Sequence, residues 1–285
     1  MNNILEITNL SKSYEDFELK DINLVIPKGH VFGIIGENGA GKTTTIKAIL
    51  NLINRNSGDI KIFGLDNIKD ERKVKERIGV VLDDSFLPSY FNPNDINRVM
   101  KVVHFNWDEK LFFDYLEQFK LPKNKNIKKF SKGMLIKLKI AVSLSFKPQL
   151  LILDEPTSGL DPIARSDILD IFDKYMENGE NAILISSHIT TDLERLADDI
   201  IFMDEGKVIL TKSRKELEND YLLVKCSEEK FNEIDKSDVI KYKKNRFEYQ
   251  LLVSSSLDIK SKYNIDNYKK PSLEEIMILY MRGEE

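Results

Sequence analysis

The sequence predicts an α/β fold built on a mixed, largely parallel sheet, with a helical subdomain and a small C-terminal α/β accessory unit. Three observations predict it. Short apolar runs of strand length alternate with stretches of helical spacing. One run, His30-Val31-Phe32-Gly33-Ile34-Ile35, is apolar at consecutive positions, as a strand buried on both faces requires. A glycine-rich segment follows it and leads into a helical pattern with Ile46, Ile49, Leu50 and Ile53 on one face.

In chain order, Ile4, Glu6 and Thr8 alternate with Leu5 and Ile7, an extended segment. A second extended run, Leu19 to Ile26, stops at the turn Pro27-Lys28-Gly29. Further strands fit Ile60–Phe63, Ile78–Leu82, Leu150–Leu153, Ala182–Ile185, Ile200–Met203 and Val208–Thr211, with Asp204-Glu205-Gly206 turning between the last two. Two aromatic-rich helical patterns lie between Asn94 and Phe119, and Lys132–Phe146 makes another helix, so a helical subdomain is expected at about 84–146. No repeat of 20–50 residues is present. From about residue 219 the character changes. Tyr221–Lys225, Val239–Tyr242 and Tyr249–Val253 read as short strands, and Ser272-Leu273-Glu274-Glu275 as a capping box opening a final helix. The expected division is 1–218 and 219–285.

Composition narrows the class. The 285 residues carry 43 basic and 47 acidic side chains, a net charge of −4, with 41% hydrophobic and 32% charged residues. That excludes a disordered chain, a collagen-like fibre and a disulfide scaffold. The longest uncharged stretch, Asn181 to Thr191, is too short to span a bilayer, and the N-terminus does not read as a signal peptide. The single Cys226 rules out an internal disulfide and a multi-cysteine zinc site. These features lead us to expect a soluble cytosolic protein, and the acidic balance argues against bulk nucleic-acid binding.

The chemistry sits in Gly36-Glu37-Asn38-Gly39-Ala40-Gly41-Lys42-Thr43-Thr44, which satisfies G-x-x-x-x-G-K-[ST] between a buried-type strand and an amphipathic helix. Glycines let backbone N–H groups turn toward phosphate oxygens, and the helix N-terminus adds positive potential. Lys42 would reach the β- and γ-phosphates of ATP and the Thr43 hydroxyl would ligate Mg²⁺. A metal partner should end another apolar strand, and Leu150-Leu151-Ile152-Leu153-Asp154-Glu155 supplies it. Asp154 would hold Mg²⁺ through its water shell and Glu155 would polarise the attacking water. Taken alone, such an acidic pair is a strand end meeting solvent; the glycine loop changes that reading.

Together these residues resemble the ATP-binding cassette (ABC) subunit of a transporter, over roughly residues 4 to 215. Ser158-Gly159-Leu160-Asp161 matches the family's D-loop, His188 follows the strand Ala182–Ile185 as its switch histidine does, and Tyr14 sits where an aromatic residue stacks on adenine. The resemblance implies a P-loop NTPase cassette that closes head to tail with a second ABC ATPase subunit, as a homodimer or heterodimer, around two ATP. Ser131 and Gly133 would touch the γ-phosphate held by the opposite subunit, and a separate transmembrane permease would be the partner. His188 would sense the γ-phosphate.

Two positions depart from the family pattern. The signature, usually LSGGQ, reads Phe130-Ser131-Lys132-Gly133-Met134, similar to bacterial ATPases of the bacitracin-exporter type. At the Q-loop, where the family places glutamine or glutamate, the chain has Asp83, which could still ligate Mg²⁺. The signature and the ending Pro271-Ser272-Leu273-Glu274-Glu275-Ile276-Met277 are similar to exporters of antimicrobial or amphipathic peptides, phenol-soluble-modulin exporters among them. A cytoplasmic ATPase peripheral on the inner membrane face follows.

The competing reading is a non-transport ABC ATPase acting on ribosomes or nucleic acid. Members acting on DNA insert long coiled coils between glycine loop and carboxylates; here 118 positions separate Gly36 from Asp154, with no sustained heptads. Translation-linked members carry two cassettes, and this chain has one. A third reading, an ATP-binding regulatory module with little turnover, is opposed by the retained Lys42, Thr43, Asp154, Glu155 and His188. Six lysines between Lys120 and Lys132 form either an anionic-ligand patch or, as composition favours, a solvated loop. Phe105, Trp107, Phe112, Phe113, Tyr115 and Phe119 should mostly pack the helical subdomain, the remainder forming a groove for a permease helix.

Overall fold

The computed structural model describes residues 3–82 and 87–284. Its centre is a six-stranded sheet in the spatial order Lys207–Ser213, Asp199–Asp204, Val31–Ile35, Ala182–Ser186, Leu150–Asp154 and Ile78–Val81. The last five run parallel, and Lys207–Ser213 pairs antiparallel at the edge, with Val208 opposite Met203. The expected extended segments near the N-terminus do not join this sheet. Asn3–Ser13 pairs antiparallel with Glu18–Pro27 on one side and Ser57–Ile62 on the other, a second sheet closed by Leu65–Asp66.

Pleating explains why the central strands are apolar at every position. Val31, Ile35, Leu151, Leu153, Ile183 and Ile185 face one core cluster, together with the helical layer. Phe32, Ile34, Leu150, Ile152, Ala182 and Leu184 face the other, against the N-terminal sheet and Ile46, Ala48 and Ile49 of the helix Lys42–Ile49. Successive side chains of a strand point to opposite faces, so a sheet covered on both sides needs apolar residues at both.

The helical subdomain contains Pro93–Val103, Glu109–Gln118 and Lys132–Leu144. Asn92 and Asp95 close a capping box, and Asp108 and Ser131 cap the other two helices. Phe112 and Phe119 are buried as expected, whereas Phe105 is 98% exposed. The 15-residue helix Pro162–Met176 was not among the sequence expectations. Its signal is present, because Asp161 accepts from Ile163 and Ala164 N–H and Pro162 stands in the first turn.

The C-terminal segment forms an antiparallel sheet in the order Val239–Lys244, Tyr249–Ser254, Tyr221–Cys226 and Tyr268–Lys269. It has its own cluster around Val224, Phe231, Leu251 and Val253. Leu217, Leu223, Leu252, Leu273, Ile276 and Leu279, in contrast, belong to the cluster on one face of the central sheet, so the segment is packed onto the half of the chain that carries the glycine-rich loop. No helix among the described residues is long and apolar enough to cross a membrane.

The joint between the two parts is the helix Arg214–Asn219, whose capping box pairs Ser213 with Glu216. The Ser213 backbone N–H and hydroxyl, each 2.8 Å away, and the Lys212 ammonium hold the Glu216 carboxyl down to about 2 from its ordinary 4.5. A carboxylate depressed in the folded state stabilises above its unfolded pKa, and that contribution is lost as pH falls through the folded one. Urea denaturation at several pH values from about 5 down to about 3 should show stability falling, with a shallower fall in Glu216→Gln.

Candidate functional site

The glycine loop leaves the strand Val31–Ile35 and enters the helix Lys42–Ile49. Only glycine fits its first position: a Cβ on Gly36 would lie 2.3 Å from the Met203 carbonyl oxygen. Gly39 and Gly41 have φ of 89° and 106°, a region L side chains avoid, so the turn that aims backbone N–H groups inward requires them. Lys42 is buried. Its ammonium donates to the carbonyls of Gly36 at 2.8 Å and Glu37 at 3.2 Å and lies 3.8 Å from Glu155.

The end of the strand Leu150–Asp154 brings both carboxylates, and the end of its neighbour Ala182–Ser186 brings the groups that hold them. Asp154 is buried, and its Oδ2 accepts the Thr43 hydroxyl at 2.8 Å. Its Oδ1 accepts the Ser186 hydroxyl at 2.5 Å, a bond between adjacent strands. Glu155 has a φ of 51°, a left-handed backbone held by bonds from its N–H to the Ser186 carbonyl and hydroxyl, both 3.1 Å. Its Oε2 meets His188 Nδ1 at 2.5 Å and accepts the His188 backbone N–H at 3.3 Å. A cleft of about 450 Å³ is lined by Phe17, residues 38–44, Asp154 and Glu155.

The fold therefore brings together Gly36, Asn38, Gly39, Ala40, Gly41, Lys42, Thr43, Thr44, Asp154, Glu155 and His188. Three expected residues stand apart. Tyr14 is 48% exposed and does not line the cleft; Phe17 does, with its ring centroid 6.4 Å from that of Tyr14. Ser131 and Gly133 are not among the lining residues. Ser131 caps the helix Lys132–Leu144 and Gly133 faces Leu160 of the D-loop. Asp83 lies outside the described residues.

A divalent cation fits the donor set at Thr43 and Asp154. A hydroxyl and a carboxylate oxygen 2.8 Å apart are hard donors, suited to Mg²⁺ that keeps waters and takes phosphate oxygens as further ligands. Consistent with so few protein ligands, no group of three His, Cys, Asp or Glu among the described residues is placed to hold a metal.

Sequence reasoning missed the residues that tie these elements together. Asp192 is wholly buried; it accepts the Thr157 hydroxyl at 2.5 Å and Arg165 Nε at 2.5 Å. Arg165 also donates to the Thr191 hydroxyl at 2.5 Å. This network joins the segment just after Glu155 to the helix Thr190–Leu196 just after His188. Ser186 was missed likewise. A polar residue at the end of an otherwise apolar strand is the signal that could have found it.

A groove of about 650 Å³ opens between the central sheet and the helical subdomain. Its walls include Leu52, Ile78, Val80, Met100, Val103 and Phe146. None of the six aromatic residues, expected mostly to pack the subdomain with the remainder forming this groove, lines it; Met100 and Val103 of the helix Pro93–Val103 stand in that wall instead.

The protein-family model for the ABC transporter matches residues 19–158. A lantibiotic transport ATP-binding protein of Streptococcus pyogenes is 39% identical, over 76% of this chain and 93% of that protein. A bacitracin transport ATP-binding protein of Enterococcus faecalis is 34% identical, over 84% of this chain and 76% of its own. Among solved structures, an ATP-binding subunit of an ABC transporter superposes with a TM-score of 0.70 at 28% identity, covering 75% of this chain and 91% of that one.

Removing one partner of a buried ion pair leaves the other charge uncompensated. Asp192→Ala should lower stability by about 3 kcal/mol in urea denaturation, and Asp192→Asn, which keeps an acceptor for Thr157, by less.

Proposed function

The chain belongs to the ATP-binding proteins of ABC transporters, and from that premise we propose that it is the ATP-hydrolysing subunit of a bacterial peptide exporter. Residues 1–218 are read as the cassette and 219–285 as an accessory unit. The observation that carries the reading is the convergence of Lys42, Thr43, Asp154 and Glu155 on one cleft, with His188 from the neighbouring strand end bonded to Glu155.

In this reading the backbone of Gly36–Thr43 wraps the polyphosphate and Lys42 carries charge to its β- and γ-groups. Bound Mg²⁺, held by Thr43, Asp154 and phosphate oxygens, would offset charge on the transferred phosphoryl group, and Asp83 is proposed as a further ligand. Glu155 accepts the proton of the attacking water as that water's oxygen bonds to the γ-phosphorus and the bond from that phosphorus to the β,γ-bridging oxygen breaks, so that ADP leaves with the bridging oxygen. The same carboxylate is oriented by His188, whose ring can then reach the γ-phosphate. Tyr14 is the proposed adenine contact, beside Phe17. Ser131 and Gly133 act in trans on the ATP of a second ABC ATPase subunit, so each site is completed by dimerisation and opened by hydrolysis.

The permease is a separate chain. Support for that partner comes from the 650 Å³ groove, whose wall includes the exposed Leu52 and Val103, a mainly apolar surface that a short cytoplasmic helix would cover. The protein then sits at the inner membrane face without entering the bilayer. Peptide cargo is inferred from the lantibiotic and bacitracin relatives.

Glu155→Gln should lower the ATP hydrolysis rate at least about a hundredfold while retaining MgATP binding, and should accumulate as a dimer in light scattering. Equal background rates in both forms would instead favour a binding module without turnover. The trapped Glu155→Gln form, used as bait on detergent-solubilised membranes of the native cell, should recover a polytopic membrane protein. Recovery of ribosomes or nucleic acid would move the assignment to a non-transport ABC ATPase.

A further inference from the structure

Glu37 occupies the second position of the glycine loop and joins that loop to the far end of the chain. Its carbonyl accepts the Ala40 N–H at 3.1 Å and the Lys42 ammonium at 3.2 Å, so Glu37 forms part of the seat on which Lys42 rests. Its carboxylate is bound by Arg282, whose Nε and Nη2 donate to the same Oε1 at 2.9 and 2.5 Å.

Arg282 is the last residue of the helix Leu273–Arg282, and that helix is anchored independently of Glu37. Leu273, Ile276 and Leu279 are buried in the cluster beneath the central sheet. The Leu273 N–H donates to Glu194 at 2.9 Å, and Glu284 is tied to Tyr242 by its backbone and by the Tyr242 hydroxyl at 2.6 Å. A cation at the negative end of a ten-residue helix is also favourably placed by the helix dipole. The guanidinium is thus delivered to the loop from a fixed support.

Charge gives the contact its meaning. A loop that wraps polyphosphate is poorly served by a carboxylate, and this edge of the site carries several. Asp204 ends the strand Asp199–Asp204, whose Met203 carbonyl abuts Gly36, and Glu205 opens the turn that follows. Burial first, then the neighbouring Glu205 and Glu37, push the Asp204 carboxyl above its usual range. Glu37 does not itself line the cleft, but it adjoins the residues that do, so Arg282 offsets negative charge at the back of the loop on which Lys42 is seated.

We propose that Arg282 is a positioning residue for nucleotide: through Glu37 the C-terminal unit neutralises the phosphate loop and holds its backbone, and so sets the affinity for MgATP. The inference rests on the reading of Gly36–Thr43 as the phosphate loop. Because the ion pair is exposed to solvent, its effect is modest and belongs to binding, not to the chemical step.

The test is MgATP binding to the full-length protein by calorimetry, with steady-state hydrolysis alongside. Arg282→Ala should weaken binding about fivefold and raise KM similarly while kcat stays near wild type. Adding Glu37→Gln to Arg282→Ala should restore most of the affinity, and the wild-type advantage should shrink as NaCl is raised. A double variant as weak as Arg282→Ala would overturn the charge argument, because packing of the tail would then account for the loss. Wild-type affinity in Arg282→Ala would overturn the inference alone. Wild-type protein that binds no MgATP would overturn the phosphate-loop reading and the inference with it.

Discussion

Ser186 stands in register with Ile34 on one side and Asp154 on the other, and the arrangement of the site depends on that parallel pairing. Its hydroxyl donates to Asp154 while accepting the Glu155 N–H, and its carbonyl accepts that same N–H. One residue thereby orients the carboxylate beside Thr43 and holds Glu155 in its left-handed conformation. Strain of this sort persists where surrounding bonds over-determine it, and two acceptors on one N–H do so here. A shift of register by one residue would invert both faces of the strand and separate Thr43 from Asp154.

The register is itself protected by burial. Side chains on both faces of the strands 31–35, 150–154 and 182–186 enter separate apolar clusters, so a slip would exchange side chains of different size between two close-packed cores. Parallel strands need long crossovers, and the chain uses those crossovers for the working parts: the helical subdomain between Val81 and Leu150, and the D-loop helix Pro162–Met176 between Asp154 and Ala182. The buried Thr157–Asp192–Arg165 network then couples two such connections, so Glu155 and His188 are referenced to each other as well as to the sheet. Buried bonds to a charged acceptor are costly to break, which suits a hub that must keep its geometry.

The C-terminal unit enters this arrangement from outside the cassette. Its antiparallel sheet has a small core of its own, yet its final helix is buried against the central sheet and ends at the glycine loop. The proposed accessory unit is therefore joined through Arg282 and Glu37 to the loop proposed to bind nucleotide. The groove between helical subdomain and sheet, mainly apolar with Glu71, Arg72, Lys75 and Glu76 at its wall, is the surface on which the proposed permease contact rests. The two surfaces give the cleft neighbours of different chemistry, one charged and intramolecular, the other mainly apolar and open.

The sequence by itself determined the α/β class, the central strands, the helices of the helical subdomain and the capped final helix, and the residues of the site that come from contiguous motifs. Gly36 to Thr44, Asp154-Glu155 and His188 are legible because each follows an apolar strand directly, where local pattern and chemistry coincide. Only the tertiary structure decided which distant residues complete them. Ser186 meets the Glu155 N–H across 31 positions, Thr157 meets Asp192 across 35, and Arg282 meets Glu37 across 245. It also decided that Phe17, and not Tyr14, borders the cleft, and that the N-terminal strands form a separate sheet. The physical reason is the same in each case. Periodicity and turn chemistry report interactions within a few residues, whereas strand order, register and the packing of one element on another arise from burial shared across the whole chain.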